Sequence, residues 1–157
     1  MKIAYGRRLK LEQDILADRD PKWHHFAKLI GAVSWPAGKY LANEMIAHRF
    51  LDWERVIVLV DGDKLVGFCA IVKEDIVKAS GYSPFIGYVF VDEAYRGQHL
   101  SQRLVTIAED QLTQVGFLKA YIVTKHIGLY EKLGYQQIDT SIDQMGRKMR
   151  ILEKELV

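Results

Sequence analysis

Tyr88-Val89-Phe90-Val91-Asp92-Glu93-Ala94-Tyr95-Arg96-Gly97-Gln98-His99-Leu100-Ser101-Gln102-Arg103-Leu104 is the stretch whose reading decides the fold. It opens as an apolar run rich in aromatic and β-branched residues, which predicts a buried strand over about Ile86 to Val91. A tight polar turn follows and leads straight into a helix, about His99 to Val115. Leu100, Leu104, Ile107, Ala108 and Leu112 share one face of it. The first N–H groups of a helix have no internal partner, and the helix dipole adds positive potential there. Such an end is suited to an anion such as a pyrophosphate. The first turn has no acidic side chain to occupy those groups, since Asp92 and Glu93 sit back in the loop. Taken alone this is the ordinary chemistry of a strand-to-helix turn, most of which bind nothing. The loop has neither G-x-x-x-x-G-K-[ST] nor G-x-G-x-x-G, which disfavours a P-loop NTPase or a Rossmann dehydrogenase.

Working outward toward the N-terminus, Val56-Ile57-Val58-Leu59-Val60 predicts a strand, Asp61-Gly62-Asp63 a turn, and Leu65 to Val72 a second strand. Before them lie two helical patterns. Asp20-Pro21 starts one that carries Trp23, Phe26, Ala27 and Ile30 and stops at Gly31. Ser34-Trp35-Pro36 starts another, with Tyr40, Leu41, Met45, Ile46 and Phe50. Toward the C-terminus the pattern predicts a strand over Ala120 to Thr124, a short helix over Ile127 to Leu133, and a last pair of strands. Helices, then antiparallel strands, then a β-α-β unit make a mixed α/β domain with at least one parallel pair.

Composition narrows the function class. At 157 residues the chain reads as one domain, 1–157, able to bury a core without disulfides or metals. A net charge of +2 with no block of Lys or Arg gives no footprint for nucleic acid. No apolar stretch approaches the roughly 20 residues of a membrane span. Met1 to Arg8 is basic but lacks the apolar run of a secretory signal. Cys69 is the one cysteine, so no internal disulfide is expected and a reducing cytoplasm is the simplest location. His24 and His25 point to different helix faces, and with the other histidines scattered no metal site is indicated. Trp23, Trp35, Tyr40 and Trp53 read as core residues.

At Arg96-Gly97-Gln98-His99-Leu100-Ser101, after Val89-Phe90-Val91 and before Leu104, the sequence resembles the acyl-CoA signature of the GNAT superfamily of N-acyltransferases. That pattern, [RQ]-x-x-G-x-[GA], lies between the family's fourth strand and third helix. Gly128-Leu129-Tyr130-Glu131-Lys132-Leu133-Gly134-Tyr135 is similar to the downstream FYEKLGF segment, where the family often has a catalytic tyrosine. Lys148 to Leu156 resembles the closing strand. The resemblance covers about Val56 to the C-terminus. It departs at His99, where the family has glycine, and at Ser101, where it has a second small residue. When protonated, the His99 imidazole adds a contact to phosphate, or else it obstructs part of the CoA arm.

The resemblance implies a GNAT-like fold: a mostly antiparallel sheet with a splayed parallel pair, flanked by helices. It implies acetyl-CoA as cosubstrate, no metal, and direct attack by an amine. Arg96, Gly97, Gln98, His99, Leu100 and Ser101 would hold the pyrophosphate. The pantetheine arm would lie along the strand, with an N–H near Phe90 or Val91 polarising the thioester carbonyl. Tyr130 matches the family's general acid for the leaving thiolate; its plainer reading is a core aromatic. The strand has no glutamate between Ile86 and Val91 to serve as base. His126, one helical turn before Tyr130 in the expected helix, is the candidate base or water-orienting residue, or simply a histidine lining that helix. Glu74 and Asp75 are weaker alternatives. Cys69, within Phe68-Cys69-Ala70-Ile71, reads as a small core residue. The expected function is acetyl transfer to a primary amine of a small molecule or protein, with no nucleic-acid or membrane partner and a homodimer left open. The rival is a non-catalytic acyl-CoA-binding module of the same fold.

Overall fold

A run that is apolar on both faces has to be covered on both faces, and Val56 to Val60 sits accordingly in the interior of a sheet. The computed structural model describes residues 11–77 and 80–157. Its seven strands are β1 (Glu12–Leu16), β2 (Arg55–Asp61), β3 (Lys64–Val72), β4 (Phe85–Val91), β5 (Lys119–Thr124), β6 (Gln136–Ile142) and β7 (Lys148–Glu155). They lie in the order β1-β2-β3-β4-β5-β7-β6, antiparallel throughout except for β4 with β5. The expected β2–β3 hairpin forms, and Gly62 takes the left-handed angle that its turn requires, φ +61. Helices α1 (Trp23–Gly31) and α2 (Pro36–Ile46) cover one face, packing Trp23, Phe26, Ile30, Leu41 and Met45 on Val56, Val58, Phe68 and Phe85. Helix α3 (Leu100–Val115) covers the other with the predicted stripe, on Ile57, Leu59, Val66, Cys69 and Ile86. Leu104 is fully buried there, a site at which truncation to alanine costs about 2–5 kcal/mol. Helix α3 ends on Gly116 (φ +111), whose neighbour Phe117 donates its N–H back to Leu112 O at 3.0 Å.

Two irregularities at β4 shape everything that follows. First, β4 and β5 share a single register pair, Phe85 with Tyr121, backed by the Tyr121 N–H donating to Pro84 O at 3.0 Å. Toward their C-terminal ends the strands part. Second, Phe68 on β3 faces Phe90, whereas Ala70 faces Gly87, so Tyr88 and Val89 together stand against Cys69. This is a bulge in β4, and Tyr88 takes φ +56 to make it.

The structure departs from the sequence reading at several points: α1 starts at Trp23 rather than at Asp20-Pro21, and α2 ends at Ile46, which leaves Phe50 outside it. Strand β1 was not expected. It is an edge strand paired with β2, and of its five residues only Leu16 is fully buried. The helix over Ile127 to Leu133 does not form. Gly128 takes φ +92 and breaks the helical path, leaving a 3₁₀ turn at Glu131–Leu133 whose Glu131 carboxylate accepts the Gly128 N–H at 2.9 Å. No helix among the described residues is long and apolar enough to cross a membrane. The reading of Met1 to Arg8 lies outside the described residues.

Candidate active site

The loop from β4 to α3 is built to leave a helix start open. Asp92 is engaged elsewhere: its carboxylate accepts the Ala94 N–H at 3.2 Å and caps a 3₁₀ turn, Glu93–Tyr95. Tyr95 is buried beneath that turn with its hydroxyl donating to Asp61 at 2.8 Å, which fixes the loop to the β2–β3 hairpin. Arg96 donates Nε–H to Val91 O at 3.1 Å, folding its stem back along β4. Gly97 (φ +84) and His99 (φ +59) both take left-handed angles, and a Cβ on Gly97 would meet nothing within 4 Å. The first turn of α3 holds no acid, and His99 makes no side-chain hydrogen bond to the helix. The residues from Arg96 to Ser101 thus fit a pyrophosphate: an open backbone, helix N–H groups, positive potential and no competing carboxylate. The gap between β4 and β5 begins on the same side, bordered by Phe90 and Val91.

Tyr130 lies past β5, packed in the α3-side core at 6% exposure. Its ring meets Tyr135 edge-on, with centroids 6.3 Å apart, and Tyr135 is itself anchored by its hydroxyl donating to Glu109 at 2.7 Å. Burial, with smaller contributions from Cys69 and Asp75, pushes the Tyr130 phenol up to about 12. It therefore holds its proton at neutral pH.

The sequence matches the profile of the acetyltransferase (GNAT) family over residues 16–135. The chain belongs to this family. Solved structures with the same GNAT fold include an aminoglycoside 6'-acetyltransferase type Ii, 19% identical with a TM-score of 0.71, covering 93% of this chain and 97% of that one. An aminoglycoside 6'-N-acetyltransferase complexed with coenzyme A is 18% identical, with a TM-score of 0.67 and coverage of 92% and 97%. The NatC complex bound to Gag peptide and CoA is 19% identical, with a TM-score of 0.66 and coverage of 94% and 99%. At these identities the likeness is one of fold. No curated protein sequence matches the chain. Family membership carries the reaction class, acetyl transfer from acetyl-CoA to an amine.

Within this GNAT frame the residues singled out from sequence are not all brought together. Phe90 and Val91 end β4 where it has parted from β5, Arg96 to Ser101 lead from the following loop into α3, and Tyr130 packs on the α3 face. His126 is exposed at the end of β5, its N–H donating to Thr124 Oγ1 at 3.0 Å and its carbonyl accepting from Arg150. Without the expected helix, its shared face with Tyr130 is lost. Cys69 is fully buried, its thiol pushed up by burial and directed at Leu104 O. Its place is in the core, as read. Among the described residues no group of His, Cys, Asp and Glu could hold a metal.

On the opposite face, a cleft of about 620 Å³ opens between α1 and α2, lined by Gly31 to Pro36, Lys39, Tyr40 and Asn43. Trp35 stacks on Phe90 at 5.8 Å and Tyr40 on Tyr88 at 6.4 Å, so this cleft abuts the bulge of β4. One residue beside this bulge escaped sequence reasoning, and another was read only as a weaker alternative for the base. Tyr88 carried no signal beyond its place in a strand. Asp75, the weaker alternative for the base, is buried at 6% exposure, whereas its neighbour Glu74 is exposed.

Proposed function

We propose that the chain acetylates a primary amine of a small molecule through a site formed by the α3 N-terminus, the β4–β5 gap and Tyr130. The single observation that carries the reading is the parting of β4 from β5 on the side where α3 begins. It offers a channel whose one wall is a strand with backbone groups to share and whose mouth is an anion site. Acetyl-CoA supplies an acyl group activated as a thioester. The N–H groups of Gly97 to Ser101 hold its phosphates, with Arg96 and His99 beside them. An N–H of β4 near Phe90 or Val91 polarises the carbonyl. As the amine nitrogen bonds to the carbonyl carbon and the carbon–sulfur bond breaks, Tyr130 donates its proton to the sulfur. His126, exposed beyond β5, orients water that exchanges protons with the site.

The cleft beside Trp35 and Tyr40 supports a small acceptor. Aminoglycoside acetyltransferases share this fold, as does a complex with bound peptide, so a protein amine is the alternative acceptor. One domain over 1–157 and a cytoplasmic setting complete the reading, since the sole cysteine is buried and reduced. The test is release of free thiol from acetyl-CoA across a panel of amines, with mass spectrometry of the product. Amine-dependent release with acetylated product is expected. Tight CoA binding without release for any amine would replace the enzyme with a binding module.

A further inference from the structure

An attacking amine has to lose a proton, and β4 supplies no glutamate for it. The structure brings in a carboxylate from outside the strand. A Cβ built on Gly87 would stand 2.6 Å from Asp75 Oδ2 and 2.9 Å from its Cγ, so the Asp75 carboxylate fills the space of a missing side chain on β4. Its Oδ1 accepts the Ile76 N–H at 2.8 Å, which fixes the rotamer. Gly87 lies two residues past Phe85, the last residue of β4 paired with β5, and directly before the bulge. The carboxylate is therefore held where the two strands part.

A second observation agrees. The charge of Asp75 contributes, after burial, to raising the phenols of both Tyr88 and Tyr130. Tyr88 packs with the α1–α2 side of the sheet and Tyr130 with the α3 side. Its charge is thus felt on both sides of the sheet.

We propose that Asp75 receives the ammonium group of a cationic acceptor at the β4–β5 gap and takes one of its protons, so that the nitrogen can attack. This rests on the acetyl-transfer reading above. The Asp75 carboxylate takes one proton from the ammonium and frees the nitrogen lone pair; the nitrogen–carbon bond then forms, the carbon–sulfur bond breaks, and the second nitrogen proton leaves to water as the amide forms. Tyr130 protonates the sulfur, and both side chains then exchange protons with water. Among the described residues, the titratable groups that Asp75 acts on include Tyr88 on β4, whose phenol burial pushes far above its usual range, and Tyr130 beyond β5. Lys73 and Glu74, in its own loop, are exposed. Glu54 nearby accepts the N–H groups of Leu51 and Lys73.

The experiment compares kcat/KM against pH for wild type, Asp75→Asn and Gly87→Ala, with CoA-induced thermal stabilisation as the check on folding and cosubstrate binding. Both variants should keep the CoA response. Both should lose about 10²-fold or more in kcat/KM near neutrality. Their residual rate should climb about tenfold per pH unit, because only amine already deprotonated in solution can attack. Gly87→Ala moves the carboxylate without removing it and stands alone if Asp75→Asn does not fold. A variant with unchanged rate, or with a uniformly lowered profile of wild-type shape, overturns the role of Asp75 and leaves acetyl transfer standing. A wild-type protein that releases no thiol with any amine overturns the acetyl-transfer reading and this inference with it.

Discussion

Replacing His99 with glycine should make the protein more stable and, at the same time, a weaker binder of CoA. His99 holds φ +59 and ψ +28 at the start of α3, is exposed, and makes no side-chain hydrogen bond to the helix. A side chain with a Cβ in that region costs roughly 1–2 kcal/mol. Glycine removes the strain but loses about 0.5–1 kcal/mol through its freer unfolded chain. The net gain is about 0.5–1 kcal/mol, which for a chain of this length raises Tm by about 1–4 °C. His99→Ala keeps the Cβ and should show no such gain, so the pair of variants isolates the backbone angle. Differential scanning calorimetry without ligand reads this directly. Titration with CoA reads the other half. His99→Gly keeps the backbone N–H but loses the imidazole, and CoA affinity should fall about three- to tenfold, the scale of one exposed hydrogen bond to a phosphate. A glycine variant no more stable than the alanine one would refute the strain argument. Tighter CoA binding by the glycine variant would show that the imidazole obstructs the site.

Tyr130→Phe keeps the packing against Tyr135 and should lower kcat by roughly 10²–10⁴-fold with CoA affinity and Tm nearly unchanged; a wild-type kcat, measured where chemistry limits the rate, removes Tyr130 from the mechanism. Because its phenol is pushed up to about 12, deprotonation of Tyr130 should not limit the wild-type rate at any pH below about 10. Cys69, buried with a raised thiol, should resist an aromatic disulfide reagent until denaturant is added, and Cys69→Ala should retain turnover; rapid labelling of the native protein would contradict its place in the core. The Arg150 guanidinium beside Glu131 holds that carboxyl below its usual range, so the folded state favours the carboxylate. The contribution is complete above the unfolded value of about 4.3 and is lost as pH falls through the lower folded one. The Tm difference between wild type and Glu131→Gln should accordingly shrink on acidification, and a difference that is constant with pH would refute the pairing.

Much of the fold could be read because the residues that decide it act locally. The stripe from Leu100 to Leu112 and the β-branched run at Val56 to Val60 each dictate one face or two, and both elements lie where their periodicity put them. Strand β1 escaped because Glu12-Gln13-Asp14 is polar and an edge strand owes its place to ladder bonds with β2, a partner some 40 residues away in the chain. The supposed helix at Ile127 failed on Gly128, whose positive φ cannot be inferred from spacing. The loop from Arg96 to Ser101 and Tyr130 were singled out through their resemblance to a family pattern, and the structure sets the first at the start of α3 and the second in the α3-side core. The Asp75–Gly87 contact was not legible, because it joins a loop to a strand through a side chain that glycine lacks, and no local pattern records an absence.

The single ladder pair between Phe85 and Tyr121 divides the sheet into two mechanical units, β1 to β4 and β5 to β6 by way of β7. Each unit is laced within itself by ladders of at least five register pairs, so the seam, held by the Phe85–Tyr121 pair and the Tyr121 N–H to Pro84 O, is where the fewest sheet hydrogen bonds oppose flexing. A cosubstrate that pairs with β4 along that seam stitches the units together, and part of its binding energy becomes cohesion of the whole domain. At a hundredfold excess over Kd this amounts to about 2.7 kcal/mol. Amide exchange should register it unevenly. The β4 amides from Tyr88 to Val91 should gain the most protection on CoA binding, and the amides of β2, laced on both sides, the least.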